Sequence, residues 1–318
     1  LDPKEEIHKE VLASYLESLW LEVQEGPRPL SSSKAVTMRR ALNLVKRHPK
    51  LLTQEVGDIH PICVLIKSGA TLQDIQEIYR LNPDVFQDPR AIDDCCGPLH
   101  VACLWASNEV IRFLAMKCTT LLSVQDCEGD LPLHIALGSR NPNGISLETI
   151  RLLAELSPEA LKAKDKAGNT PLALAVANDC PLDVLEYLVS VFPEDHDTLE
   201  VQRDYYARHD TVLDLERTRA LSKVFPRLKA LTLRVSNWTK DGFICFLKQM
   251  QTNRSIANIE DLSMPTEIST DVNVQLELRK LVETNSALIN FTLSRRHQHN
   301  AASGTLRDYD DQLLVSLQ

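Results

Sequence analysis

Apolar residues recur at helical spacing through the first two-thirds of the chain. Ile7, Val11, Leu12, Tyr15, Leu16, Leu19, Trp20 and Val23 line one side of a stretch that predicts an amphipathic helix over residues 2–24. Asp2 is placed to cap it, Pro3 suits its first turn, and Glu5 completes a capping box. The segment "EGPRPLSSSK", residues 25–34, is rich in turn formers and predicts a linker. Beyond it, short apolar runs that open on a proline alternate with longer amphipathic stretches. These are "LQDIQEIYRLNPDVF", "NEVIRFLAMKCTTLL", "LETIRLLAELSPEAL" and "LDVLEYLVSVFPEDH", each predicting a helix followed by a turn. "TMRRALNLVKRHPKLL" fits the same class and predicts an extra second helix ahead of the first proline.

The proline-headed runs are copies of one another. Pro61-Ile62-Cys63-Val64, Pro98-Leu99-His100-Val101-Ala102, Pro132-Leu133-His134-Ile135-Ala136 and Pro171-Leu172-Ala173-Leu174-Ala175 follow at intervals of 37, 34 and 39 residues. Each unit therefore reads as turn, short helix, loop, longer helix, turn. Two copies carry a fuller pattern: Asp126, Gly129, Pro132-Leu133-His134 and Ala136, then Asp165, Gly168, Thr170-Pro171-Leu172 and Ala175. Asp opens a tight turn and Gly closes it. Thr170 is placed to cap the short helix, and proline fits a first turn that has no N–H partner to lose. Leu and Ala bury against the next unit, with Ala allowing close approach.

On these residues the segment 36–200 resembles ankyrin repeats. The Thr position holds His60, Gly97 and Leu131 in the other copies, and the glycine after the short helix survives as Gly69. The resemblance implies that His100 and His134 are structural, bonding backbone in neighbouring turns and tying repeats together. It also implies that partners touch the turn tips and the outer ends of the short helices. Those positions are Lys67 and Ser68, Leu104 and Trp105, Gly138 and Ser139, and Ala177 and Asn178, with Asp126, Glu128 and Lys166 at the turn tips. Leu104 and Trp105 break an otherwise small or polar series. Trp105 either contacts a partner or folds back onto the loop before the next helix.

After residue 200 the period changes. Leu228, Leu231 and Leu233 alternate as in a short strand, and Phe243, Phe246, Leu247 and Met250 follow at helical spacing. Asn253, Ile256, Ile259 and Leu262 come next. A second pass runs through Leu278, Leu281, Val282, Asn285, Leu288, Phe291 and Leu293, and "NRSIANI" parallels "NSALINF". This is similar to leucine-rich repeats of the ribonuclease-inhibitor kind, with a strand and a helix per unit. The expected fold is mostly α: a capping helix and linker over 1–35, a degenerate ankyrin solenoid over 36–200, and a short α/β leucine-rich segment over 201–318. The amphipathic helix reads as the cap that a repeat array needs at its end, the alternative being a docking helix for a partner.

Charge and chemistry narrow the function. A net charge of −9 argues against general nucleic-acid binding. No apolar run approaches the roughly 20 residues that span a bilayer. The eight cysteines lack the density of a small secreted domain and read as reduced thiols, which places the chain in the cytoplasm or nucleus. Between Arg217 and Arg254 the charge is strongly basic; that face either meets an acidic or phosphorylated partner or complements the acidic remainder. Cys95, Cys96, His100 and Cys103 suggest zinc at first sight, but Cys103 falls at a small-residue position of the repeat and paired knuckles are missing. No phosphate loop, nucleophile elbow or metalloprotease helix occurs. The expectation is a monomeric, non-catalytic scaffold or adaptor for other proteins, without cofactor or metal. The alternative is the recognition part of an enzyme whose catalytic domain lies outside this chain.

Overall fold

The computed structural model describes residues 3–24, 32–53, 60–87, 97–138, 141, 144–193, 197–201, 212–233, 237–253, 255–265, 268, 270–285, 290–296 and 311–314. They form two compact units. One holds Leu1–Ala136 with Arg140–Ala160, the other Leu137–Ser139 with Leu161–Gln318.

The first unit is built from helix pairs. Helix α1, Pro3–Gln24, packs on α2, Ser32–Arg47, and on α3, Pro61–Lys67. Among its described side chains Leu12, Leu16 and Leu19 are fully buried, whereas Ile7 is 57% and Val11 38% exposed. The buried stripe is therefore narrower than the sequence pattern suggests, because only one side of α1 has a neighbouring layer. Helix α2 begins at Ser32, inside the stretch read as linker. Serine costs a helix little, and Met38, Ala41, Leu42 and Val45, all buried at helical spacing, carry the turn back to it. Short and long helices then alternate as the repeat pattern requires: α3 with α4, Leu72–Leu81; α5, Pro98–Trp105, with α6, Asn108–Lys117; and α7, Pro132–Leu137, followed by α8, Leu147–Leu156. Ile62, Leu65 and Ile66 of α3 and Leu99, Ala102 and Cys103 of α5 are all buried, and the two helices pack together. Each such residue contributes about 1.5–3 kcal/mol of apolar burial if large.

The second unit contains helices Pro171–Ala177 and Leu182–Ser190, then strands and helices in alternation. Strands β1 (Thr198–Val201), β3 (Ala230–Leu233), β5 (Asn258–Pro265), β6 (Asn290–Arg296) and β7 (Asp311–Leu314) form one sheet in that order. The first four are parallel and β7 is antiparallel to β6. Strands β2 (Val212–Leu213) and β4 (Asn237–Trp238) make a separate parallel pair. Helices Leu215–Leu221, Lys240–Thr252 and Val272–Thr284 form the crossovers that parallel strands need. The expected strand around Leu231 and Leu233 and the expected helix carrying Phe243, Phe246, Leu247 and Met250 are both present, with all six residues buried. The side chains of Leu262, Leu288, Phe291 and Leu293 lie outside those described. Among the described residues no helix is long and apolar enough to cross a membrane.

Gly242, in the first turn of helix Lys240–Thr252, shows how tightly this unit is closed. A Cβ there would stand 2.5 Å from the Leu213 carbonyl oxygen and 2.9 Å from backbone atoms of Asp214. Alanine ordinarily favours a helix over glycine by about 1 kcal/mol. Here Gly242→Ala is expected to destabilise by about 1–3 kcal/mol, the usual cost of forcing atoms into filled space. Urea unfolding checks the sign; a stabilised variant would show that the backbone yields.

Candidate functional site

The repeat turns form as their residues dictate. The Asp126 carboxylate accepts the N–H of Glu128 and of Asp130, and the Gly129 N–H donates to the Asp126 carbonyl. Gly129 sits at φ 79°, a left-handed conformation that glycine adopts without strain. The turn at Asp165 repeats this, with the Asn169 N–H on the Asp165 carboxylate and Gly168 at φ 89°. The Thr170 hydroxyl accepts the Ala173 N–H and caps its helix as expected.

Both histidines bond backbone. His100 is fully buried, and its Nε2 donates to the Asp130 carbonyl of the next turn, 3.2 Å away. That is the tie between repeats the resemblance implies. In His134 the Nδ1 accepts the Leu131 N–H of its own turn at 3.1 Å. This is the N3 half of a capping box, made where Leu131 supplies no capping hydroxyl. The long loop after α7 also has a job: Asn141 Nδ2 donates to the carbonyls of Cys103 and Ala106 at the end of α5, where no glycine cap exists. Asn108 bonds the same loop from α6, accepting the Ser146 N–H and donating to the Gly144 carbonyl.

Burial pushes the His100 imidazole below its ordinary value, with the Asp126 charge and the Asp130 carbonyl opposing in part. A histidine depressed in the folded state contributes stability above about pH 6.5 that is lost as pH falls below it. The chain should therefore unfold at lower urea at about pH 5.5 than at about pH 7.5, a window above the carboxylate range. His100→Gln should flatten that difference; an unchanged difference would assign it to other groups.

The sequence-selected contact residues are placed as follows. Lys67 and Trp105 are the last residues of consecutive short helices, α3 and α5, and both are half-buried, as is Leu104. The Lys67 Nζ lies 5.3 Å from the centre of the Trp105 ring and 4.0 Å from that of Trp20 on α1. Trp105 thus meets a cation. Glu128 is exposed at its turn tip and Asp126 is half-buried, its carboxylate engaged in holding the turn. In the second unit Lys166 is exposed, but Asn178 is 8% exposed and Ala177 is buried. The expectation that this pair and Ser68 face solvent is corrected. Asn178 closes the short helix and is followed by Asp179 at φ 54°, in the place where a repeat usually has glycine. Ser139 lies outside the described residues. Trp20 was not among the selected contacts; it stands outside the repeat pattern, and only the fold brings it to Lys67.

Three of the buried thiols are unprepared for metal or nucleophilic work. Burial raises Cys103 to about 12, Cys180 to about 12 and Cys118 to about 11, so all three stay protonated near neutrality. Cys95 and Cys96 lie outside the described residues, and among those described no cluster of metal-ligating side chains occurs. The basic stretch is partly consumed inside its own unit: Arg217 pairs with Asp179 at 3.0 Å, Lys229 with Asp197 at 2.8 Å and Lys240 with Asp271 at 2.5 Å. Arg227 lies over the Phe192 ring. This favours complementing nearby acids over meeting an anionic partner.

Residues 99–198 match the family model of ankyrin repeats in three copies. Over 114 residues the chain is 30% identical to Rabankyrin-5 of Homo sapiens. That match covers 36% of this chain and 9% of the relative, so the chain corresponds to a small part of the relative's length. Ankyrin repeats are present, and such repeats are generally protein-interaction modules and typically non-catalytic.

Proposed function

We propose that this chain is a non-catalytic scaffold or adaptor that binds another protein through the ends of its short helices and its turn tips. The single observation that carries this is Trp105, a half-buried indole beside half-buried Leu104 on the face where ankyrin repeats take their partners. Lys67 and Glu128 extend the same surface in the first unit, and Lys166 offers a turn-tip contact in the second. The reading places the protein as a monomer in the cytoplasm or nucleus. It keeps the sequence-based division into a helical cap over 1–35, ankyrin repeats over 36–200 and a leucine-rich segment over 201–318. The parallel strand–helix units, with Asn258 opposite Asn290 and buried asparagines 32 residues apart, support kinship with leucine-rich repeats.

The test is a photo-crosslinking residue placed at position 104, with a matched residue at exposed position 276 as control. A discrete protein adduct at 104 and none at 276 is expected. Equal labelling at both positions, or none at 104, would remove the proposed face.

A further inference from the structure

We propose that Lys67 is a charge-dependent latch that holds the end of helix α1 over the partner-binding face, so that losing its charge uncovers the Trp20 and Trp105 indoles together. The inference rests on reading Trp105 as a partner contact and adds a means of controlling access to it.

Three elements meet at this ammonium. Trp20 comes from α1, Lys67 from the end of α3 and Trp105 from the end of α5. The Nζ is 4.0 Å from one indole centre and 5.3 Å from the other, inside the range where a cation is attracted to a ring face. Lys67 is the sole charged residue in the sequences of α3 and α5, so no other side chain of these two helices carries a fixed charge to those rings.

Helix α1 packs on α2 and α3 and its His8 ring meets His48, but several of its apolar side chains face solvent. Leu12, Leu16 and Leu19 bury completely, but Ile7, Val11 and Leu21 are 57%, 38% and 66% exposed. A helix anchored by so narrow a stripe depends measurably on contacts at its end. A cation–π contact needs the formal charge as well as the shape. Glutamine at position 67 keeps most of the side-chain packing and loses the attraction, whereas arginine keeps both the charge and a flat face for stacking.

Amide hydrogen exchange on the whole chain tests this without a partner. Lys67→Gln should speed exchange in the second half of α1 about tenfold, the effect of losing two ring contacts, while α6 and α8 keep their protection. Its indole emission should shift to the red as both rings meet water. Lys67→Arg should exchange like the native protein. Unchanged α1 protection in Lys67→Gln, or equal loosening in Lys67→Arg, would overturn the latch. Should Lys67→Gln fold poorly, Trp20→Leu serves instead: release of α1 with α6 intact supports the proposal, and full retention of α1 contradicts it. Because partner binding is not read here, failure of the latch leaves the binding face standing. Unchanged partner binding by Trp105→Ala would remove the face and leave the latch measurable.

Discussion

Asn253→Ala is expected to destabilise the second unit by about 3–5 kcal/mol, among the largest effects available to a single polar residue. Asn253 is 1% exposed at the end of helix Lys240–Thr252. Its Nδ2 donates to the Phe225 carbonyl at 2.5 Å and to the Leu228 carbonyl at 3.0 Å, one strand–helix unit earlier. Its Oδ1 accepts the N–H groups of Ser255 and Ile256 ahead of β5. Asn285 repeats the arrangement one unit later, donating to the Met250 carbonyl at 3.2 Å and the Asn253 carbonyl at 2.7 Å. Alanine at 253 takes the amide from the Leu228 carbonyl and the buried Ile256 N–H, each loss costing about 1–3 kcal/mol, whereas the Phe225 carbonyl keeps the Leu228 N–H. Urea unfolding measures the loss. A change below about 1 kcal/mol would mean that water replaces the amide, and that the asparagine ladder is not what joins consecutive units.

Trp105→Ala should weaken partner binding by about 2 kcal/mol or more, roughly thirtyfold in Kd. Much of Trp105 is already covered in the folded chain, so stability should also fall, by about 1–2 kcal/mol. Affinity must therefore be compared on folded protein. Trp105→Phe separates the two effects: it keeps an aromatic face for Lys67 and should recover most of the stability, but less of the affinity if the partner reads the indole itself. An affinity unchanged in both variants would assign Trp105 to the interior of the unit.

How much of this was legible in the sequence follows from how local each determinant is. Pro98, Pro132 and Pro171 announce helix starts because proline fits a first turn wherever it stands. Asp126 with Gly129, and Asp165 with Gly168, close turns within five residues. These features survive translation from sequence to structure unchanged. Strand β1 does not: Thr198–Val201 is four residues long and is a strand because Leu199 and Val201 register with Leu231 and Leu233 of β3. Its position inside the segment read as repeat hid it. Asn253 and Asn285 stood out by their spacing of 32, but the carbonyls they reach lie 25 to 35 residues away and only the fold supplies them. At the candidate site, alignment on Pro61 and Pro98 places Lys67 with Leu104 and Ser68 with Trp105 at the ends of two short helices, but the contact between Lys67 and Trp105 comes from the fold. Trp20 cannot be placed this way, since it belongs to no repeat. Asn178 and Ser68 each stand just before a left-handed residue, Asp179 and Gly69, and both are buried, so the position before this turn faces inward in both copies, which alignment alone does not reveal.

The most direct measurement is an amide exchange footprint of the full chain, free and bound to the partner captured at position 104. Binding should slow exchange in residues 61–68 and 98–106, with smaller changes at the 126–130 turn. Protection confined to the strand–helix unit beyond residue 197, with residues 61–106 unaffected, would contradict the proposal that the short-helix ends carry recognition.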